Sequence, residues 1–115
     1  MSYVVRAYFR AGVGKSRLKI RPDHIRYVIS ALPGVVCAGA LCGEDQLPRG
    51  LFLVLDCAEK TEADAFIANE PYNRAGLLER VEVERLIQFA PHPNPRILHE
   101  ELERAMEAAS RATAG

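Results

Sequence analysis

Val35-Val36-Cys37-Ala38-Gly39-Ala40-Leu41-Cys42, then Gly43-Glu44-Asp45-Gln46-Leu47-Pro48-Arg49-Gly50, then Leu51-Phe52-Leu53-Val54-Leu55-Asp56-Cys57, reads as strand, turn and strand, and it decides the fold. The turn gathers glycine, aspartate and proline between two apolar runs, the composition that reverses a chain into a hairpin. The second run is apolar on both parities, so it belongs inside a sheet rather than at its edge.

What flanks this hairpin fixes the class. Upstream, Pro22 sits where a helix can begin without losing a hydrogen bond, and Ile25, Val28, Ile29 and Leu32 follow at helical spacing until Pro33-Gly34 stops them. A loop at 11–19 separates that helix from a first strand, Tyr3 to Arg10, with Tyr3, Val5, Ala7 and Phe9 on one parity. Downstream, Thr61 with Asp64 has capping-box spacing, Ala63, Phe66 and Ile67 form a buried stripe, and Pro71 ends the helix. After the turn 71–76, a last strand carries Val81, Val83, Ile87 and Phe89 on one face. The order β-α-β-β-α-β predicts an α+β, ferredoxin-like domain with both helices on one face of a four-stranded antiparallel sheet. The other face then needs a cover, and a second subunit is the simplest one.

This domain is expected over 1–90. Pro91, Pro93 and Pro95 make 91–95 an extended linker. Residues 96–115 place Leu98, Leu102, Ala105, Met106 and Ala109 on one side of a terminal amphipathic helix, expected to dock on its own subunit or a neighbour and so able to extend a homodimer into a higher oligomer.

The 115 residues are 49% apolar and 26% charged, and 15 basic side chains balance 15 acidic ones. Such a chain has no global field for nucleic acid or an anionic membrane, and its strands lack the aromatic-rich pattern that stacks on RNA bases. The N-terminus shows no signal-peptide pattern and no apolar run has membrane-spanning length, which predicts a cytoplasmic protein. Cys37, Cys42 and Cys57 lie within apolar runs and are expected to be buried free thiols.

Four stretches together resemble the YciI-related family: Arg21-Pro22-Asp23-His24, Ala38-Gly39-Ala40-Leu41, Gly50, and Asn69-Glu70-Pro71-Tyr72-Asn73-Arg74-Ala75-Gly76-Leu77. The resemblance covers residues 1 to about 90. It implies a dimeric α+β barrel with a pocket in each subunit and a site built on a histidine and an acid. It also implies proton-transfer or dehydrohalogenation chemistry on small hydroxylated ring compounds. Glu70 stands where the family pattern has aspartate, a carboxylate one methylene longer.

His24 is therefore the candidate acid/base. It is expected in the first turn of its helix, where the helix N-terminus favours neutral imidazole. A carboxylate on its other nitrogen would fix the tautomer, with Glu70 the first choice and Asp45 the second. A purely structural histidine is the competing account. Arg21, within a basic group of Lys15, Arg17, Lys19 and Arg26, could hold an anionic substrate, or the group could simply be a solvated face. Tyr72 could line the pocket or pack beneath its turn. Gly39, Gly50 and Gly76 are expected to mark close backbone approach or positive φ.

Gly12-Val13-Gly14-Lys15-Ser16 imitates the end of a phosphate-binding loop, but the first required glycine falls at Phe9, Pro22 interrupts within two turns the helix that should follow, and 115 residues leave no room for the usual parallel sheet. His24, His92 and His99 are too scattered to suggest a metal site, and no cofactor is expected. The sequence thus predicts a cofactor-independent lyase, dehydrohalogenase or isomerase-like enzyme acting on a small molecule. A non-catalytic ligand-binding or interaction module on the same scaffold is the alternative.

Overall fold

The computed structural model describes residues 1–114. Its elements are β1 (Ser2–Phe9), α1 (Gly14–Ala31), β2 (Val35–Cys42), β3 (Pro48–Asp56), α2 (Lys60–Ala68), α3 (Pro71–Arg74), β4 (Leu78–Leu86) and α4 (Ile97–Ala114). The sheet order is β2-β3-β1-β4, with all three pairings antiparallel. This is the ferredoxin-like α+β fold, and β3 is an inner strand as its two-sided apolar pattern requires.

Strand alternation sorts the core onto one face. Val5, Ala7, Leu51, Leu53 and Leu55 meet Ala63 and Ile67 of α2 and Tyr72 of α3. On the opposite face, Val4 pairs with Val54 and Arg6 with Phe52 in the β1–β3 register. Arg6 also bonds Glu84 there, and the Arg80 guanidinium lies 4.3 Å from the Tyr8 ring. That face has an apolar centre and a charged margin on β4.

The β-hairpin is held by a contact that only glycine permits. A Cβ on Gly50 would stand 2.2 Å from the Ala7 carbonyl oxygen, backbone against backbone across the β1–β3 pair. Gly76 takes a positive φ of 74° in the turn before β4. Gly39 needs neither explanation, since a Cβ there meets nothing within 4 Å.

Several local expectations give way to tertiary structure. The first helix begins at Gly14, not Pro22, and carries Pro22 in its interior. Lys15, Arg17, Leu18, Lys19 and Arg21 are good helix formers, and Val13 and Ile20 pack against the core, which together outweigh the one hydrogen bond a mid-helix proline forgoes. His24 consequently lies mid-helix, beyond reach of the N-terminal dipole, so that ground for a neutral ring does not apply. Because the helix does run on from Gly14, one ground for dismissing the phosphate-loop imitation also falls; the misplaced glycine at Phe9 and the antiparallel sheet remain.

Helix α2 is capped by Glu59 and Glu62, not Thr61: Glu59 takes the N3 backbone and Glu62 reaches back to the Glu59 N–H at 3.0 Å. The turn after it is the short helix α3. β4 ends at Leu86, so Ile87 and Phe89 lie beyond the last strand. Cys37 and Cys42 are exposed because β2 is an edge strand, and Cys57, just past the end of β3, is half-buried. Among the described residues no helix is long and apolar enough to cross a membrane.

Candidate active site

The site forms where α1, α3 and the core face of the sheet converge. On α1, Arg17, Arg21, His24, Ile25, Val28 and Ile29 recur at i, i+4, i+7, i+8, i+11 and i+12, so one face is basic toward its start and apolar toward its end. This face borders a cleft of about 310 Å³ whose floor includes Ala38 and Ala40 of β2 and Leu51 and Leu53 of β3. The alanines keep the β2 side open where larger side chains would fill it.

Glu70 enters from the turn between α2 and α3. Pro71 forces it into an extended conformation, φ −65° and ψ 133°, which points its side chain across the start of α3. Its Oε2 accepts from the Tyr72 N–H at 2.9 Å and the Asn73 N–H at 3.3 Å, capping the short helix. Its Oε1 lies 2.5 Å from His24 Nδ1. Glu70 is 0% exposed, and every buried polar side-chain atom among the described residues has a partner. A carboxylate taken wholly out of water is tolerable only with such partners.

Tyr72 secures the other side of the ring. Its own ring stacks on the imidazole, with centroids 4.5 Å apart and planes at 26°, and its far edge meets Phe9 at 5.0 Å and 88°. Burial pushes the Tyr72 hydroxyl pKa up, Arg17 and Arg21 pull it down, and Glu70 pushes it up; the net shift is upward, so the group is a neutral phenol near pH 7. Tyr27, one turn beyond His24, donates its hydroxyl to the Phe66 carbonyl at 2.7 Å and ties α1 to α2.

Of the five residues singled out from sequence, His24, Glu70, Tyr72 and Arg21 come together here, while Asp45 does not. Asp45 accepts from the Leu47 N–H at 3.0 Å and pairs with Arg49 at 3.3 Å, which stabilises the β2–β3 turn. The structure therefore places Glu70, not Asp45, on the imidazole. The sequence marks Arg17 only as one member of a basic group, yet it lines the cleft and lies 6.0 Å from the Phe9 ring. Its i−4 spacing to Arg21 and i−7 spacing to His24 was the signal available, hidden by starting the helix at Pro22.

Glu70 occupies Nδ1 of His24, whose other ring nitrogen, Nε2, takes no part in that bond, and the residue lines the cleft. Arg17 and Arg21 provide fixed positive charge beside it. A larger hollow, about 540 Å³, opens near Met1 and Pro91, and its ion pair, the Met1 amino group 3.6 Å from Asp56, is solvent-exposed on both sides. Among the described residues no three His, Cys, Asp or Glu side chains gather into a metal site.

The fold and this histidine-bearing cleft define a ferredoxin-like domain of the dimeric α+β barrel class. The profile of the YCII-related domain matches residues 1–87, and the chain belongs to the YCII-related family. Among solved structures it is similar to the 5-chloro-2-hydroxyhydroquinone dehydrochlorinase TftG of Burkholderia phenoliruptrix AC1100, in complex with 2,5-dihydroxybenzoquinone. The two are 23% identical with a TM-score of 0.72, over 77% of this chain and 96% of that one. Rv0793 of Mycobacterium tuberculosis is 18% identical with a TM-score of 0.50, over 77% of this chain and 96% of that one. No protein of curated function matches the chain.

Proposed function

We propose that this chain is a cofactor-independent enzyme that uses His24 and Glu70 to move a proton on a small anionic or hydroxylated ring compound. The observation that carries the reading is the 2.5 Å bond from a buried carboxylate to a histidine in the wall of a cleft. Nε2 of His24 takes a proton from the substrate; Glu70 stabilises the imidazolium and holds the ring in place. The electron pair left behind either expels a halide, in a dehydrohalogenation, or accepts the proton back at another atom, in an isomerisation. Arg21, with Arg17, binds the anion, and Tyr72 supports the imidazole plane. TftG's dehydrochlorinase activity, and the quinone bound to it, suggest which ring compounds to try first.

The same reading makes the working unit a homodimer, two sheets face to face over the half-buried Phe52, with Val4 and Val54 already buried within each subunit. Their apolar centre within a charged margin is the pattern of such a surface.

The test is turnover of chlorinated di- and trihydroxybenzenes by wild type and His24→Ala, followed by halide release and absorbance. The expected loss is on the order of 10²- to 10⁴-fold. Equal rates for the two proteins would remove His24 from the chemistry. Saturable binding in the cleft with no turnover of any compound would favour the ligand-binding module instead.

A further inference from the structure

Helix α4 carries the strongest unexplained pattern in the molecule. Leu98, Leu102, Ala105, Ala109 and Ala112 alternate at spacings of four and three, the narrow seam that packs against another helix rather than a sheet. Glu101 flanks that seam, while Glu100, Glu103 and Glu107 lie on the face behind it. No residue of α4 is buried, Leu98, Leu102 and Met106 are more than half exposed, and the chain extends over 57 × 29 × 24 Å. The helix is made to dock and does not dock on its own subunit.

A complementary surface exists on α1. Leu18, Pro22, Ile25, Ile29 and Leu32 follow the same four-three spacing, and Leu18, Ile29 and Leu32 are also more than half exposed. The charges are opposite: α1 holds Lys15, Arg17, Lys19, Arg21 and Arg26 against Asp23 alone, while α4 holds Glu100, Glu101, Glu103 and Glu107 against Arg104 and Arg111. The tether argues for a second copy. After β4, residues 86–91 line a groove with Cys37 and Val54, whose side chains lie on the sheet face opposite α1. The chain thus leaves on the face that the proposed homodimer pairs.

We propose that α4 of one subunit docks along the exposed ridge of α1 in a second copy of this chain. Ile25 and Ile29 belong both to that ridge and to the wall of the His24 cleft, so the partner's helix stands at the mouth of the site. Each subunit then completes the enclosure of the other's cleft, which excludes water around the imidazole.

The test is a charge-swap pair read by amide hydrogen exchange of α4. One variant carries Glu101→Lys; the other carries Lys15→Glu with Lys19→Glu, where acidic residues suit a helix start and α1 remains folded. In wild type, α4 amides should exchange at least ~10-fold more slowly than in either variant, and this protection should fade on dilution. Mixing the two variants should restore it, since each acidic flank of a seam then meets a basic one on the other chain. Three results would overturn the proposal: α4 exchanging freely in wild type at every concentration, protection untouched by the swaps, or protection restored only when all three substitutions share one chain. The last would mark docking within a subunit. Circular dichroism of each variant confirms that loss of protection is not loss of fold.

Discussion

The two oxygens of Glu70 are divided between a structural task and a chemical one. Oε2 caps α3 while Oε1 holds His24, and the extra methylene relative to aspartate gives the side chain the reach to do both. Glu70→Gln separates the tasks. The amide oxygen still accepts from the Tyr72 and Asn73 N–H groups, but its NH2 then faces His24 Nδ1, which must become an acceptor, and the proton moves to Nε2. Stability should fall by only about 1–2 kcal/mol in urea titration, while turnover falls on the order of 10²-fold or more. A variant as active as wild type would show that Glu70 matters to the helix cap alone. His24 and Glu70 were legible because each stands in a short motif beside a proline. Discarding Asp45 required the fold, since nothing in its local sequence distinguishes an acid that stabilises its own turn from one that reaches a distant histidine.

Among the elements, the β2–β3 hairpin and α1 show opposite relations between local sequence and outcome. The hairpin is written locally: turn residues, apolar runs and a glycine at the crossing with β1. Gly50→Ala should therefore be costly, because both neighbours of the new methyl are main chain and neither can turn aside. A loss of roughly 1–3 kcal/mol, seen as a lower urea midpoint, is expected. An unchanged midpoint would mean that the β1–β3 spacing relaxes freely. Helix α1 is written by its packing. Pro22 in isolation signals a helix start, yet Val13 and Ile20 before it find the core and extend the helix back to Gly14. That extension carries Arg17 into the cleft.

At the scale of the molecule, the site is embedded in a tyrosine-bearing core that sets a limit at alkaline pH. Burial raises the pKa of Tyr27 and of Tyr72 above the ordinary 10.0, with the charge of Glu70 pushing the same way. The charged form of each is the tyrosinate, which the folded state disfavours. Their contribution to stability is therefore complete below about pH 10 and fades as pH rises through the raised folded values. Urea midpoints for wild type should drop between pH 9 and pH 11 more steeply than for Tyr72→Phe, which has lost one of the two titrating groups. Parallel curves would show that ionisation of Tyr72 does not limit the alkaline stability of the fold.

The order of elements, the inner position of β3, the proline-rich tether and the amphipathic terminal helix were all determined by the sequence alone, because periodicity and turn chemistry act over a few residues. The exposure of Cys37 and Cys42, the true start of α1, the choice of Glu70 over Asp45 and the opening of the cleft over Ala38 and Ala40 were decided by the tertiary structure. Each depends on how far apart two elements stand, and that distance is fixed by packing between residues remote in the chain.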